Sequence, residues 1–81
     1  MTTNIEIRVN LKKGMTDPEG ANVKKTLNLL GFNNVNNVES VKFYKLTIDL
    51  SEKEALKEAE KMCQQLLANP VVHEYSIMVT N

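Results

Sequence analysis

The 81-residue chain has one cysteine, one histidine, two prolines, three glycines and no tryptophan. Each scarcity closes a route. Cys63 alone cannot form an internal disulfide, and without a CxxC or Cys/His cluster there is no zinc site. No serine, cysteine or aspartate is matched with the single histidine, His73, so nucleophilic catalysis lacks its parts. The aromatics are only Phe32, Phe43, Tyr44 and Tyr75, and no RNP signature surrounds them, which leaves little on which to stack bases. Ten lysines and arginines balance ten aspartates and glutamates. A formal charge of zero gives no pull towards phosphates or an anionic membrane. No apolar run approaches ~20 residues, and no signal-peptide core precedes the first alternating segment. With an unpaired cysteine, a reducing compartment and the cytoplasm are expected, with neither nucleic acid nor membrane as partner.

What is present suits a folded domain. Apolar content of 42% and charge of 25% are globular values. The length predicts one domain over residues 1–81. A chain of this size buries only about 60% of its unfolded surface, so association is a common remedy.

Residues 5–11 alternate, with Ile5, Ile7, Val9 and Leu11 on one face, and predict a half-buried strand. Lys12 to Met15 leave it as a loop. Asp17 then caps a helix with Pro18 at its first position. Val23, Leu27 and Leu30 make its apolar stripe, and Gly31 is placed to end it in a left-handed conformation. Gly20 in the first turn weakens that helix.

Val38 to Leu50 is extended, but its alternation slips by one residue at Phe43-Tyr44. A slip means a bulge in one long strand or a tight turn between two. Lys42 and Phe43 suit a tight turn poorly, which favours the bent strand. Ser51-Glu52-Lys53-Glu54 is a capping box and opens a second helix. Its buried face is expected on Leu56, Ala59, Met62, Cys63, Leu66 and Leu67, and Asn69-Pro70 stops it. From Val71 to Thr80 a last strand carries Val71, His73, Tyr75, Ile77 and Val79 on one side, and Val72, Glu74, Ser76 and Met78 on the other. The fold class is therefore α+β: a two-layer β-α-β(β)-α-β arrangement, two helices packed on one face of a mainly antiparallel, dimerising sheet.

Among candidate sites, His73 lacks the partners a general base needs and reads as a packing or interface residue. Cys63 lies on the apolar helix stripe and reads as an inert buried thiol. Lys12-Lys13-Gly14 ahead of a helix suggests a phosphate cradle, but it fits no Walker pattern, and Asp17 and Glu19 would repel an anion from the helix amides. Asp17 and Glu19 alone are a poor cage for a cation. No catalytic, cofactor or metal residue is expected. The last strand is apolar on both sides, so Val72, His73, Tyr75 and Met78 are expected at an interface. The Lys12 to Gly20 loop either docks a partner through Lys12 and Lys13 or is a well-capped turn, and the residues favour neither.

Two blocks, VNLKKGMTDPEGANVKKTLNLLGF (9–32) and MCQQLLANPVVHEYSI (62–77), resemble the PurS family, the small subunit of phosphoribosylformylglycinamidine (FGAM) synthase. The pattern falls on Leu11, Lys12, Gly14, Asp17, Pro18, Gly20, Leu30, Gly31 and Phe32, then on Cys63, Leu66, Leu67, Ala68, Asn69, Pro70, Val71, Val72 and Tyr75. The match departs in the middle, at Glu39 to Phe43. The resemblance implies a subunit with no active site of its own, in a glutamine-dependent ligase of purine biosynthesis. That complex converts formylglycinamide ribonucleotide (FGAR), glutamine and ATP to FGAM. It also implies a homodimer or higher oligomer that brings the PurL synthetase and the PurQ glutaminase together. ATP and magnesium would belong to the synthetase, with no cofactor in this chain. From the residues alone, a small dimeric α+β regulatory module that binds a ligand stands as the alternative.

Overall fold

A computed structural model describes residues 1–80. The order is β1 (Thr3–Leu11), α1 (Pro18–Leu29), β2 (Lys42–Ile48), α2 (Glu52–Met62), a π-helical turn (Cys63–Leu67) and β3 (His73–Val79). β1 is the central strand, antiparallel to β2 on one side and β3 on the other. Its alternation places Thr3, Ile5, Ile7 and Val9 on the inner face, all buried. The register, Ile7 opposite both Tyr44 and Ile77, carries that inner face onto Tyr44, Leu46 and Ile48 in β2 and onto Tyr75, Ile77 and Val79 in β3. The expected β-α-β(β)-α-β arrangement is present with a single strand between its two helices, and the sheet is antiparallel throughout.

α2 lies on the inner face against β1 and β3. Its contact row is Ala55, Ala59 and Cys63, spaced four apart and fully buried. Small side chains let the helix settle close to the strands. Ser51 caps it, its hydroxyl accepting from the Glu54 amide at 3.5 Å, so the helix starts where the sequence placed it. The buried face differs from the expected one. Ala55 belongs to it, and Leu66 is 82% exposed. The cause is the π-helical turn, closed by the Ala68 amide donating to the Cys63 carbonyl at 3.0 Å. One extra residue in that turn brings Leu67 and Ala68 back under the helix and leaves Leu66 outside.

The middle region also differs. β2 begins at Lys42 and pairs without a break from Val9↔Lys42 to Thr3↔Ile48, so there is neither a bulge nor a hairpin in it. Val38 to Val41 lie outside the strand because the Ser40 amide donates to the Asp17 carboxylate rather than to a neighbouring strand. The slip in alternation is the boundary between that segment and the strand. β3 likewise starts two residues late. Asn69 to His73 form a turn in which the amides of Val72 and His73 both donate to the Asn69 carbonyl, at 3.0 and 2.8 Å. Val71 and Val72 therefore do not share the strand's faces.

α1 is capped as the sequence requires: the Asp17 carboxylate accepts from the Gly20 amide at 3.0 Å, and Pro18 stands in the first turn. At its other end Gly31, with φ of 101°, donates to the Asn28 carbonyl while Phe32 donates to the Leu27 carbonyl. These two bonds satisfy carbonyls that the helix end would otherwise leave open. α1 is not packed against any other element to the extent that α2 is. Of its apolar stripe, Val23 and Leu30 are exposed and Leu27 is half-buried, and Leu29 and Phe32 beside it are exposed. Together with residues 30–41 running back along it, α1 forms an arm on a molecule 50 Å long and 14 Å thick.

Candidate interaction surfaces

The reactive-looking groups are all accounted for locally. Cys63 is buried, and burial, followed by the nearby Glu60 charge, pushes its thiol up. A buried protonated thiol is neither nucleophile nor ligand. The only histidine has its Nδ1 accepting from the Asn69 amide at 2.8 Å, while its own amide donates to the Asn69 carbonyl. His73 thus ties the helix stop to the strand start. Asp17 is held below the usual carboxylate range, first by the Ser40 amide, then by the Gly20 amide and the Ser40 hydroxyl. Among the described residues, no three histidine, cysteine or carboxylate side chains gather in a way that could hold a metal ion.

What the fold offers instead is three surfaces. The first lies at one end of the sheet. There the register sets Leu11 opposite His73, and the Lys12 amide donates to the Val72 carbonyl at 2.8 Å. Four of the six residues singled out from the sequence, Lys12, Lys13, Val72 and His73, therefore meet at one end. The turn that presents them is internally satisfied, since the Asn69 side chain also accepts from the Val71 amide at 3.0 Å. Val71, at the tip, is 74% exposed. A groove of ≈ 470 Å³ runs beside the Lys12–Met15 loop, lined by Lys12 and Lys13 and by Asp17, Glu39 and Glu74. Mixed charge of this kind suits a polypeptide more than an anion.

The other two predicted residues stand elsewhere. Tyr75 points inward beneath α2, its hydroxyl donating to the Glu60 carboxylate. That bond, more than burial, raises its titration point. Met78 lies on the opposite face, beside Glu6 of β1. That outer face is the second surface: Met78 and Phe43 are exposed among Lys45, Glu6, Arg8 and Glu74. The third surface is the arm, together with the flank of the inner face at β2. α2 covers β1 and β3, and Tyr44, Leu46 and Ile48 are left half-buried beside it.

Sequence reasoning did not find the pairing of Asp17 with Ser40. Twenty-three positions separate them, and a lone serine carries no local signal. Nor did it find that the α1 stripe is uncovered, because periodicity reports an apolar face and not what lies against it.

A thin two-layer α+β chain that keeps a small buried core and yet exposes Leu29, Leu30, Phe32, Phe43 and Met78 belongs to the class of small domains built to present surfaces to other chains. A family profile described as PurS, phosphoribosylformylglycinamidine (FGAM) synthase, matches residues 4–81. The PurS subunit of that synthase from Methanocaldococcus jannaschii is 46% identical over 72 residues, which is 88% of this chain and 87% of the relative. The crystal structure of M. jannaschii PurS superposes with a TM-score of 0.87 at 41% identity, covering 100% of this chain and 98% of the other. A chain of the Thermotoga maritima PurLQS structure does so with a TM-score of 0.87 at 25% identity, covering 99% of each. The chain belongs to the PurS family.

Proposed function

We propose that the chain is the non-catalytic small subunit of FGAM synthase. It acts as a homodimer that holds a glutaminase and a synthetase together, so that FGAR, glutamine and ATP become FGAM. ATP and magnesium are then the synthetase's, this subunit carries no cofactor, and the work is done in the cytoplasm. The observation that carries the reading is the mismatch between arm and sheet. α1 has twelve residues and exposes its apolar stripe, while one flank of the inner sheet face lacks a helix. Isolated helices shorter than about 12–15 residues are marginal in water, and most helical stability comes from packing an apolar face. The missing cover for α1 and the missing helix over β2 complement each other. A second copy supplies both, with α1 of each protomer beside α2 of its partner.

Dimerisation by the arms leaves the end with Lys12, Lys13, Val72 and His73, and the outer face with Met78, free for other chains. Two kinds of free surface are what a bridging subunit needs, and the PurLQS assembly of the T. maritima relative is consistent with that use. The test is reconstitution. Purified glutaminase and synthetase subunits of the same organism are assayed for glutamine-dependent FGAM formation with and without this chain. Formation that requires the chain is expected. Equal rates in its absence overturn the reading.

A further inference from the structure

We infer that the contact between Asp17 and Ser40 is a clasp that holds α1 away from its own sheet and so reserves it for the second copy. The inference rests on the dimer reading above and extends it to the device that chooses between exchange and self-closure. The arm joins the sheet at two roots. One leaves β1 through Lys12 to Thr16, a loop with Gly14 at φ of 86°. The other returns through Ser40 and Val41 into β2. Two loose roots would let α1 swing over the open β2 flank of its own chain, burying the same stripe without a partner.

The structure ties the roots together. Both oxygens of the Asp17 carboxylate are engaged: Oδ1 accepts from the Gly20 amide at 3.0 Å and the Ser40 hydroxyl at 2.8 Å, and Oδ2 accepts from the Ser40 amide at 2.9 Å. Helix start and return segment are further locked at Gly20, where an added Cβ would lie 2.5 Å from the Val38 carbonyl oxygen. An ordinary helix cap needs only the Gly20 bond. The two bonds to Ser40 do nothing for the helix itself. They fix the direction in which it leaves the sheet. A short, restrained connection beside an uncovered slot is the arrangement that favours exchange of an element between protomers.

The experiment separates cap from clasp. Asp17→Ser keeps a side-chain oxygen for the helix amides but is too short to hold Ser40 as well. Ser40→Ala removes the hydroxyl alone. Sedimentation equilibrium of the full chain gives the dimer dissociation constant, and far-UV circular dichroism gives the helix content. Losing the two bonds to Ser40 should raise the constant of Asp17→Ser about tenfold. Helix content should be unchanged, and sedimentation velocity at low concentration should show a monomer with a lower frictional ratio than an extended-arm chain. Ser40→Ala should move the constant in the same direction by less. If Asp17→Ser dimerises as tightly as the parent, the contact is a cap only and the clasp is overturned while the dimer stands. A parent that stays monomeric at all concentrations overturns the dimer reading and the clasp with it. A variant whose helix content falls together with its dimerisation also counts against the clasp, because loss of the helix then explains both.

Discussion

Substituting alanine for Gly20 sets two effects of opposite sign against each other. In a solvated helix the change should stabilise by about 1 kcal/mol, because alanine restricts the unfolded chain and favours the helix. Here the new Cβ would meet the Asp17 Oδ2 and the Val38 carbonyl oxygen, each at 2.5 Å, and the Asp17 Cγ at 3.0 Å. The carboxylate can turn only by giving up its bonds to Ser40. The carbonyl belongs to the backbone and moves only if the arm opens. Overpacking of this kind costs roughly 1–3 kcal/mol, so a net loss of up to about 2 kcal/mol is expected after the propensity gain. For a domain of this size that lowers the melting temperature by up to roughly 15 °C. Asn22→Ala, at an exposed position of the same helix, is the control and should leave the melt unchanged or slightly higher. Thermal circular dichroism at one fixed chain concentration reads both variants, since association makes the midpoint concentration-dependent. A Gly20→Ala protein that melts at or above Asn22→Ala would refute the close approach of α1 to residue 38, and with it the account of why glycine stands in a helix.

Two further outcomes follow from the titrating and reactive groups. The Tyr75 hydroxyl titrates above its ordinary 10.0 because it donates to Glu60, so the stability it contributes is complete below that value and is lost as pH rises through the higher folded one. Asp17 acts in the opposite sense: its folded value lies below 3.8, so its contribution is present above that point and is lost on acidification. Denaturant midpoints measured against pH should therefore fall at both ends, with Tyr75→Phe flattening only the alkaline fall, and an alkaline limb unchanged by that substitution would contradict the Tyr75–Glu60 bond. Cys63 is fully buried with its thiol pushed up, so a thiol reagent should label the native protein only at the rate at which the core opens. Rapid stoichiometric labelling under native conditions would place the thiol at the surface instead.

Much of the fold was legible in the residues because each signal is local. Alternation through Ile5, Ile7 and Val9 located the central strand, and Asp17-Pro18, Gly31 and Ser51 to Glu54 marked three helix ends. The errors arose where a distant partner decided the outcome. Val38 to Val41 looked like strand, yet Asp17 takes the Ser40 amide and removes that stretch from the sheet. Leu66 fits an α-helical stripe, but one turn of π-helix rotates it outward, and composition gives no warning of that insertion. Gly20 looked like a weakness of α1 until the Val38 carbonyl explained it. For the candidate surfaces, the family pattern marked Lys12, Val72 and Tyr75 as belonging to conspicuous blocks. Alternation already set Tyr75 and Met78 on opposite sides of the last strand, but only the pairing of β1 with β3 reveals that Lys12 lies against Val72.

The narrow dimension of 14 Å sets a limit on what this polypeptide can become. A plate of that depth has room for one layer of side chains between helix and strands, and Ile5, Ile7, Val9, Ala55, Ala59 and Cys63 fill it. There is no second layer in which to recess a reacting centre from water. Change in such a molecule is confined to its outlines, and any gain in capability has to come from what it is placed between.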